Sequence, residues 1–494
     1  MTNDRIVVIG SGVGGLASAM LLASQGVEVV VLEKEATAGG KMRTMDIEGL
    51  AIDCGPTVLT MLHVFERLFA DCGLSLSSHV AVERAHLLAR HAWSSDGHLD
   101  LFADRMASRD AIGRFAGSAA TKGFDAFCVH AGKVYETMNP LFMEAERPTP
   151  VSMARSAGLR GLAGLVSSAP FTTLWDLLGT YFPDPRLRQL FGRYATYCGS
   201  SPFEASATLA LIPHVEMQGV WIVTGGMRAL ANALAGAVTR SGATIRYGVE
   251  VREILAQNGR ASGVVLSTGE RIAATAVMSN GDVGALASGL MGAPARSAVA
   301  ADGMLPRSLS AATWGFAARA DGFPLAHHTV FFSEASKQEF DDLFTRRRTP
   351  SDPTVYVCAA DRHEGSAPPA RERLFMIVNA PADAGRSLAR PEDIEACRTA
   401  MMRTMERCGL RLEVTGEMHA GPATFAARYP GTDGAIYGMA SHGWTASFRR
   451  PGARTKLPGL YLTGGSVHPG AGLPMAALSG RLAAQAWLKD RRSI

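Results

Sequence analysis

The chain has 494 residues, 47% hydrophobic and 19% charged, with 49 Lys and Arg against 45 Asp and Glu for a formal charge of +4. At about 100 to 200 residues per domain, this length predicts two or three domains with ample core, and the apolar content excludes a chain that stays disordered. The small, scattered positive charge offers no phosphate-tracking stripe, so nucleic acid is not an expected partner.

Seven cysteines with no C-x-x-C pair predict reduced thiols in a protein facing the cytosol. Thirteen histidines include no H-E-x-x-H and no His/Cys set with ligand spacing, so no metal is expected. The His327-His328 doublet is expected to send its rings to opposite faces of a strand.

The first predicted element is a buried strand at 6–9, followed by Gly10-Ser11-Gly12-Val13-Gly14-Gly15 and a helix at 16–25. The 22 residues 6–27 carry no charge, but glycines in their middle argue against both a membrane span and a signal peptide. Gly10, Gly12 and Gly15 match G-x-G-x-x-G: the first permits a tight turn, the second a close approach to a pyrophosphate, the third close packing of helix on strand. The helix then aims its free N-terminal amides at that phosphate. A second strand at 27–32 ends on Glu33, 23 positions after Gly10, where a carboxylate accepts from ribose hydroxyls. Strand, glycines, helix, strand and acid in this order define a dinucleotide-binding unit and leave the dinucleotide open.

A second glycine pair with basic residues follows in Gly39-Gly40-Lys41-Met42-Arg43, then Asp53-Cys54-Gly55-Pro56-Thr57. A longer diphosphate-bearing ligand would use both glycine sets. Residues 161–175 carry no charge and predict an interfacial helix or lid packing, interrupted at Pro170. Thr224-Gly225-Gly226-Met227 opens an amphipathic helix, 244–247 is a strand, and 249–255 and 260–267 flank Asn258-Gly259 as a hairpin with a type I′ turn. The charge-free stretch 457–480 holds six glycines and three prolines, which excludes a lipid-facing helix. It reads as a strand at 460–462, a turn at Gly464-Gly465, the sequence Gly472-Leu473-Pro474-Met475 and a helix at 476–487.

This order of motifs resembles the FAD-binding segments of the amine oxidase and phytoene desaturase superfamily. The strings Phe191-Gly192-Arg193-Tyr194-Ala195-Thr196-Tyr197, Met217-Gln218-Gly219-Val220-Trp221, Gly434-Ala435-Ile436-Tyr437-Gly438, Phe448-Arg449-Arg450-Pro451 and His468-Pro469-Gly470-Ala471-Gly472 narrow the resemblance to the bacterial carotenoid desaturases. Within them the chain looks most like the branch that acts on the C3–C4 bond of 1-hydroxy- or 1-methoxy-carotenoids. The resemblance implies FAD, with Gly10, Gly12, Gly14, Gly15, Gly39, Gly40, Lys41 and Arg43 along the diphosphate and Glu33 on ribose. It further implies Val251 at adenine, Gly55, Pro56 and Thr57 near the flavin, and Gly464, Gly465, Gly472, Pro474 and Met475 at the ribityl or diphosphate side. Many members carry an acid after the glycine where this chain has Gly465-Ser466.

The implied fold is α/β: a discontinuous, Rossmann-like FAD-binding domain at 1–105, 225–285 and 416–494, a helical, membrane-facing lid at 106–224 and a mixed substrate-binding sheet at 286–415. The implied activity is an FAD-dependent oxidoreductase that desaturates a carotenoid, cytoplasmic and peripheral to the inner membrane, with Arg346-Arg347-Arg348 and 489–492 facing headgroups. Phytoene desaturation, carotenoid isomerisation, amine or porphyrinogen oxidation and non-enzymatic lipid carriage are the alternatives. Hydride and proton removal demands no nucleophile, and Glu216 and His468 are the candidate proton acceptors, each also explained as a structural hydrogen-bonding group.

Overall fold

The computed structural model describes residues 4–94, 97–300, 306–363, 365 and 367–492; the side chains at 159, 160, 162, 163 and 166 lie outside the described set. The uncharged run at the start becomes the centre of a five-stranded, all-parallel sheet in the order Leu460–Leu462, Ala276–Ser279, Arg5–Ile9, Glu28–Glu33, Thr244–Tyr247. Ile6, Val7 and Val8 are fully buried because a parallel sheet is covered on both faces. On one face lie the helices Val13–Ser24, Met227–Arg240 and Leu473–Arg492, whose apolar sides share a core with Ile6 and Val8. On the other, Val7 and Ile9 pack against an antiparallel meander of Val251–Gln257, Arg260–Leu266 and Arg271–Ala273. Strands from both ends of the chain therefore lie in one sheet, on either side of Ala276–Ser279.

The second layer is a seven-stranded sheet in the order Arg411–Ala420, Ser310–Asp321, Glu372–Ala380, Val355–Ala359, His328–Phe331, Leu87–Ser94, Gly97–Phe102. It is mixed, since His328–Phe331 pairs parallel with Leu87–Ser94 and the remaining pairs are antiparallel. One face packs on the helix Pro391–Arg407 through Trp314, Met376, Met401 and Met405. The opposite face meets the hairpin Thr44–Ile47 and Leu50–Asp53 through Ile47, Ile52, Cys358 and Phe375, and so looks toward the parallel-sheet unit. Helices Arg105–Met138, Leu174–Tyr181 and Pro185–Gly192 close the space between the layers, with Phe124, Phe127, Phe182 and Phe191 stacked inside.

Several sequence boundaries shift. Residues 87–102, read as part of the first domain, pair in the second sheet, because the backbone edge of His328–Phe331 is open to Leu87–Ser94. The expected break at 416 cuts through the continuous strand Arg411–Ala420, which stays paired with Ser310–Asp321 along its length. The opening helix starts at Val13, so Gly14 and Gly15 lie in its first turn, and the closing helix starts at Leu473 with Pro474 second, a position where proline's missing N–H costs nothing. The stretch 161–175 is not one helix: Pro150–Ser167 ends before Pro170 and a new helix begins at Leu174. No helix among the described residues is long and apolar enough to cross a membrane.

Candidate active site

Three glycine-rich turns, at 10–15, 39–40 and 464–465, meet beyond the carboxyl ends of the parallel strands. Gly10 has a φ of 90°, and its amide donates to Leu32 O at 2.8 Å, which reverses the chain tightly. A Cβ on Gly12 would lie 2.7 Å from Asn280 Nδ2, and one on Gly14 would lie 2.6 Å from the amide nitrogen of Gly464. The first glycine turn thus touches the last. Asn280 stands between them: its amide donates to Ile9 O at 2.9 Å, its Nδ2 lies 3.5 Å from Gly10 O, and its Oδ1 accepts from Thr463 Oγ1 at 3.1 Å. Gly464 N donates to Ser479 Oγ at 2.6 Å, fixing the second turn to the closing helix.

Glu33 is buried at the end of its strand. Its Oε2 accepts from the amide and hydroxyl of Ser11, both at 2.7 Å, and its Oε1 accepts from Glu35 N at 2.9 Å. A carboxylate has about four acceptor sites, so one is left for a ligand hydroxyl beside the Gly10 turn. Val251 lies close by in the core with Ile9 and Leu32, and Val249 N donates to Glu33 O at 2.8 Å.

The second glycine pair is tied to the first turn by Gly39 N donating to Ser11 O at 2.9 Å, and a Cβ on Gly40 would stand 3.1 Å from Gly12 Cα. Lys41 keeps an exposed side chain, yet burial lowers its pKa and its Nζ donates to Ile436 O at 2.6 Å. Arg43 pairs with Glu35 at 3.1 Å, and its buried Nε has no hydrogen-bond partner. Gly55 has no room for a Cβ against the carbonyl of Lys41, and Thr57 beyond Pro56 bonds Tyr356 of the second sheet, Oγ1 to hydroxyl, at 2.6 Å. Near the other turn, Gly465 O accepts from buried Arg450 at 3.2 Å, Gly472 has a φ of 109°, and Pro474 and Met475 sit in the first turn of the closing helix.

Tyr197, Tyr356 and Tyr437 each keep part of their surface accessible, yet burial raises all three phenol pKa values, Tyr437's to about 12. Glu216 is buried, accepting from the hydroxyls of Tyr194 and Tyr197, both at 2.6 Å. His468 is buried, donates from Nε2 to Ala145 O at 2.9 Å, and is pushed down to about 4 by burial. Both side chains are engaged in holding the protein together.

The expectation for the histidine doublet is corrected. His327 precedes the strand His328–Phe331, so strand alternation does not apply to it, and the two rings meet edge to face with centroids 4.6 Å apart. Cys358 arrives from the neighbouring strand, and the ligand atoms of His327, His328 and Cys358 lie within 4.8 Å of one another. No sequence spacing predicted this cluster, because strand pairing creates it. Asn280 and Ser479 were also missed. The available signal was Asn280's place directly after a buried parallel strand, where ligands of open α/β sheets bind.

The arrangement suits a dinucleotide: glycine amides and a helix N-terminus converge on one cleft, with cations on one wall and an acid at the far end. The family of flavin containing amine oxidoreductases matches residues 13–488, and the chain belongs to it. Its cofactor is FAD, which the glycine cradle and the unpartnered Arg43 Nε fit. Among relatives, the chain is 48% identical to the hydroxyneurosporene desaturase of Rubrivivax gelatinosus, over 98% of this chain and 93% of the relative. It is 44% identical to that of Cereibacter sphaeroides, over 99% and 98%. Among solved structures, cyclohexylamine oxidase from Brevibacterium oxydans superposes with a TM-score of 0.57 at 15% identity, over 99% of this chain and 100% of that one, which shows the fold.

Proposed function

We propose that this chain is an FAD-dependent carotenoid desaturase that introduces a C3–C4 double bond into an acyclic carotenoid with a hydroxyl or methoxyl group at C1. The observation that carries this reading is the 48% identity to a hydroxyneurosporene desaturase across 98% of the chain. Desaturation removes a hydride and a proton from adjacent carbons, so the product is two hydrogens lighter. When bound, the flavin supplies the hydride acceptor, a role no amino-acid side chain fills.

The chain's own residues bind, orient and exclude water. Gly10, Gly12, Gly14 and Gly15 give the diphosphate its backbone approach, and Gly39, Gly40, Lys41 and Arg43 bring positive charge to it. Glu33 would take the ribose, Val251 the adenine, and Gly55, Pro56 and Thr57 the flavin. Gly464, Gly465, Gly472, Pro474 and Met475 complete the ribityl side through main-chain atoms, in place of an acid. Tyr197, Tyr356 and Tyr437, each partly accessible, are the groups we assign to the substrate side, where they would keep bulk water from the reacting carbons.

A water-insoluble substrate is best taken from a membrane surface, and we assign that contact to the aromatic pair Phe171 and Trp444. They are 79% and 43% exposed, with centroids 5.2 Å apart, and Phe171 lies between the helices Pro150–Ser167 and Leu174–Tyr181. The basic groups suggested by the sequence are engaged elsewhere: Arg346 and Arg348 pair with Asp342 at 2.6 and 3.0 Å, Lys489 with Glu146 at 3.1 Å and Arg491 with Asp4 at 2.6 Å.

Expression in a strain that accumulates neurosporene and its 1-hydroxy derivative tests the activity. The expected products are lighter by two hydrogens and red-shifted by one added conjugated bond. Unchanged pigments, beside a working positive control, would refute it.

A further inference from the structure

A long polyene repeats itself along its length, so apolar walls alone do not determine which carbon–carbon bond lies at the flavin. A polar anchor at one end does. The second sheet carries such a group on the face turned toward the parallel-sheet unit: the register His328 to Cys358 and Val330 to Tyr356 puts His328, Tyr356 and Cys358 on that one face. Tyr356 lies 2.8 Å from His328 Nδ1 and 2.6 Å from Thr57 Oγ1, hydroxyl oxygen to acceptor or donor in each case. His328 is buried, and its Nε2 has no hydrogen-bond partner; the same holds for Arg193 Nε nearby. Eleven buried side-chain nitrogens lack a partner among the described residues, and this pair stands apart because the Thr57–Tyr356–His328 hydrogen-bond chain ties it to the segment assigned to the flavin.

Resting on the desaturase reading, we propose that His328 Nε2, positioned by Tyr356 and Thr57 and flanked by Arg193, hydrogen-bonds the C1 oxygen of the carotenoid and so sets which bond is desaturated. C1 is two bonds from C3, so its oxygen must sit beside the reacting carbons, and Thr57 brings the anchor to the segment assigned to the flavin. The chain Thr57, Tyr356, His328 works in either proton order. When Tyr356 donates to Nδ1, Nε2 carries the proton and donates to a hydroxyl or a methyl ether. When Nδ1 donates to Tyr356, Nε2 accepts, and only a hydroxyl satisfies it. The neighbouring His327 and Cys358 give the same atoms a metal-like spacing, but the guanidinium of Arg193 opposes a dication at His328.

The test is competition between a C1-hydroxylated carotenoid and its counterpart lacking the hydroxyl, with FAD-loaded wild type, His328→Phe, His328→Gln and Tyr356→Phe. Flavin content, the ratio of kcat/KM values and the position of the new double bond are read for each. The expected result is a wild-type preference for the hydroxylated substrate that falls about ten- to a hundredfold in His328→Phe, less in His328→Gln, with desaturation spread over neighbouring bonds. Should His328→Phe lose flavin, Tyr356→Phe, which deletes one hydroxyl, carries the same expectation. A wild-type preference near unity, a ratio and product position unmoved in the variants, or a stoichiometric metal ion on the wild type would overturn the anchor. Wild type that converts neither substrate would instead remove the desaturase reading on which it rests.

Discussion

Gly12 and Gly14 lie where the first and last turns of the chain touch, and neither has room for a side chain. Gly12→Val places a branched group against Asn280 Nδ2, where even a Cβ would lie 2.7 Å away, and in the path proposed above for the diphosphate. We expect the purified variant to lose its flavin absorbance per mole of protein; full flavin content would contradict the cradle. Glu216 separates two roles in the same way. Glu216→Gln leaves one tyrosine hydroxyl without an acceptor, at a cost of about 1–3 kcal/mol, and should lower the apparent melting temperature by several degrees. A large fall in kcat with the melting temperature unmoved would restore it as a proton acceptor. The tight turn at Gly10 and the crowding at Gly12 and Gly14 were readable from sequence because such a glycine turn imposes local conformational demands. Asn280 was not, because its role depends on which strands become neighbours.

The crossing of the helices Val13–Ser24 and Leu473–Arg492 is as close as backbone allows. A Cβ on Gly480 would strike the carbonyl of Gly14 and lie 2.9 Å from Ala17 Cβ. Helix propensity alone assigns Gly→Ala a gain of about 1 kcal/mol, so Gly480→Ala tests which effect wins. We expect destabilisation, because the contact is backbone and has nowhere to move. Gly236→Ala, in Met227–Arg240 with nothing within 4 Å of its added methyl, should instead gain about 0.5–1 kcal/mol. Thermal unfolding of both variants decides the matter, and equal signs would contradict the crossing. At this scale the opening strand–helix–strand, the strand Thr244–Tyr247 and the hairpin around Asn258-Gly259 were legible, since periodicity and turn chemistry are local. The partner of Leu87–Ser94 was not: the parallel neighbour His328–Phe331 lies far along the chain, and nothing in either strand's composition names the other.

Across the whole molecule, burial gives the protein a pH dependence with a definite sign. His91 is pushed down to about 3, His327 and His468 to about 4, and His328 well below its ordinary 6.5, chiefly by desolvation. Between about pH 6.5 and pH 4 the unfolded chain binds these protons and the folded chain does not, so stability is present above that window and lost as pH falls through it. Each such group contributes a slope of about 1.4 kcal/mol per pH unit. Glu339, raised to about 7 by burial, and Asp53 and Asp282, also raised by burial, act in the opposite direction. The lowered histidines outnumber them, so the apparent melting temperature should decline steadily from pH 6.5 to 4; a flat or rising profile on acidification would contradict the burial. The nucleotide cleft has a further consequence for biosynthesis. Thr463 and Gly464 complete it only after Leu460–Leu462 has joined the sheet beside Ala276–Ser279. A nascent chain on the ribosome therefore has no finished seat for FAD until Gly464 has been translated, and a termination codon ahead of Leu460 should yield colourless, protease-sensitive polypeptide even though its opening motif is intact.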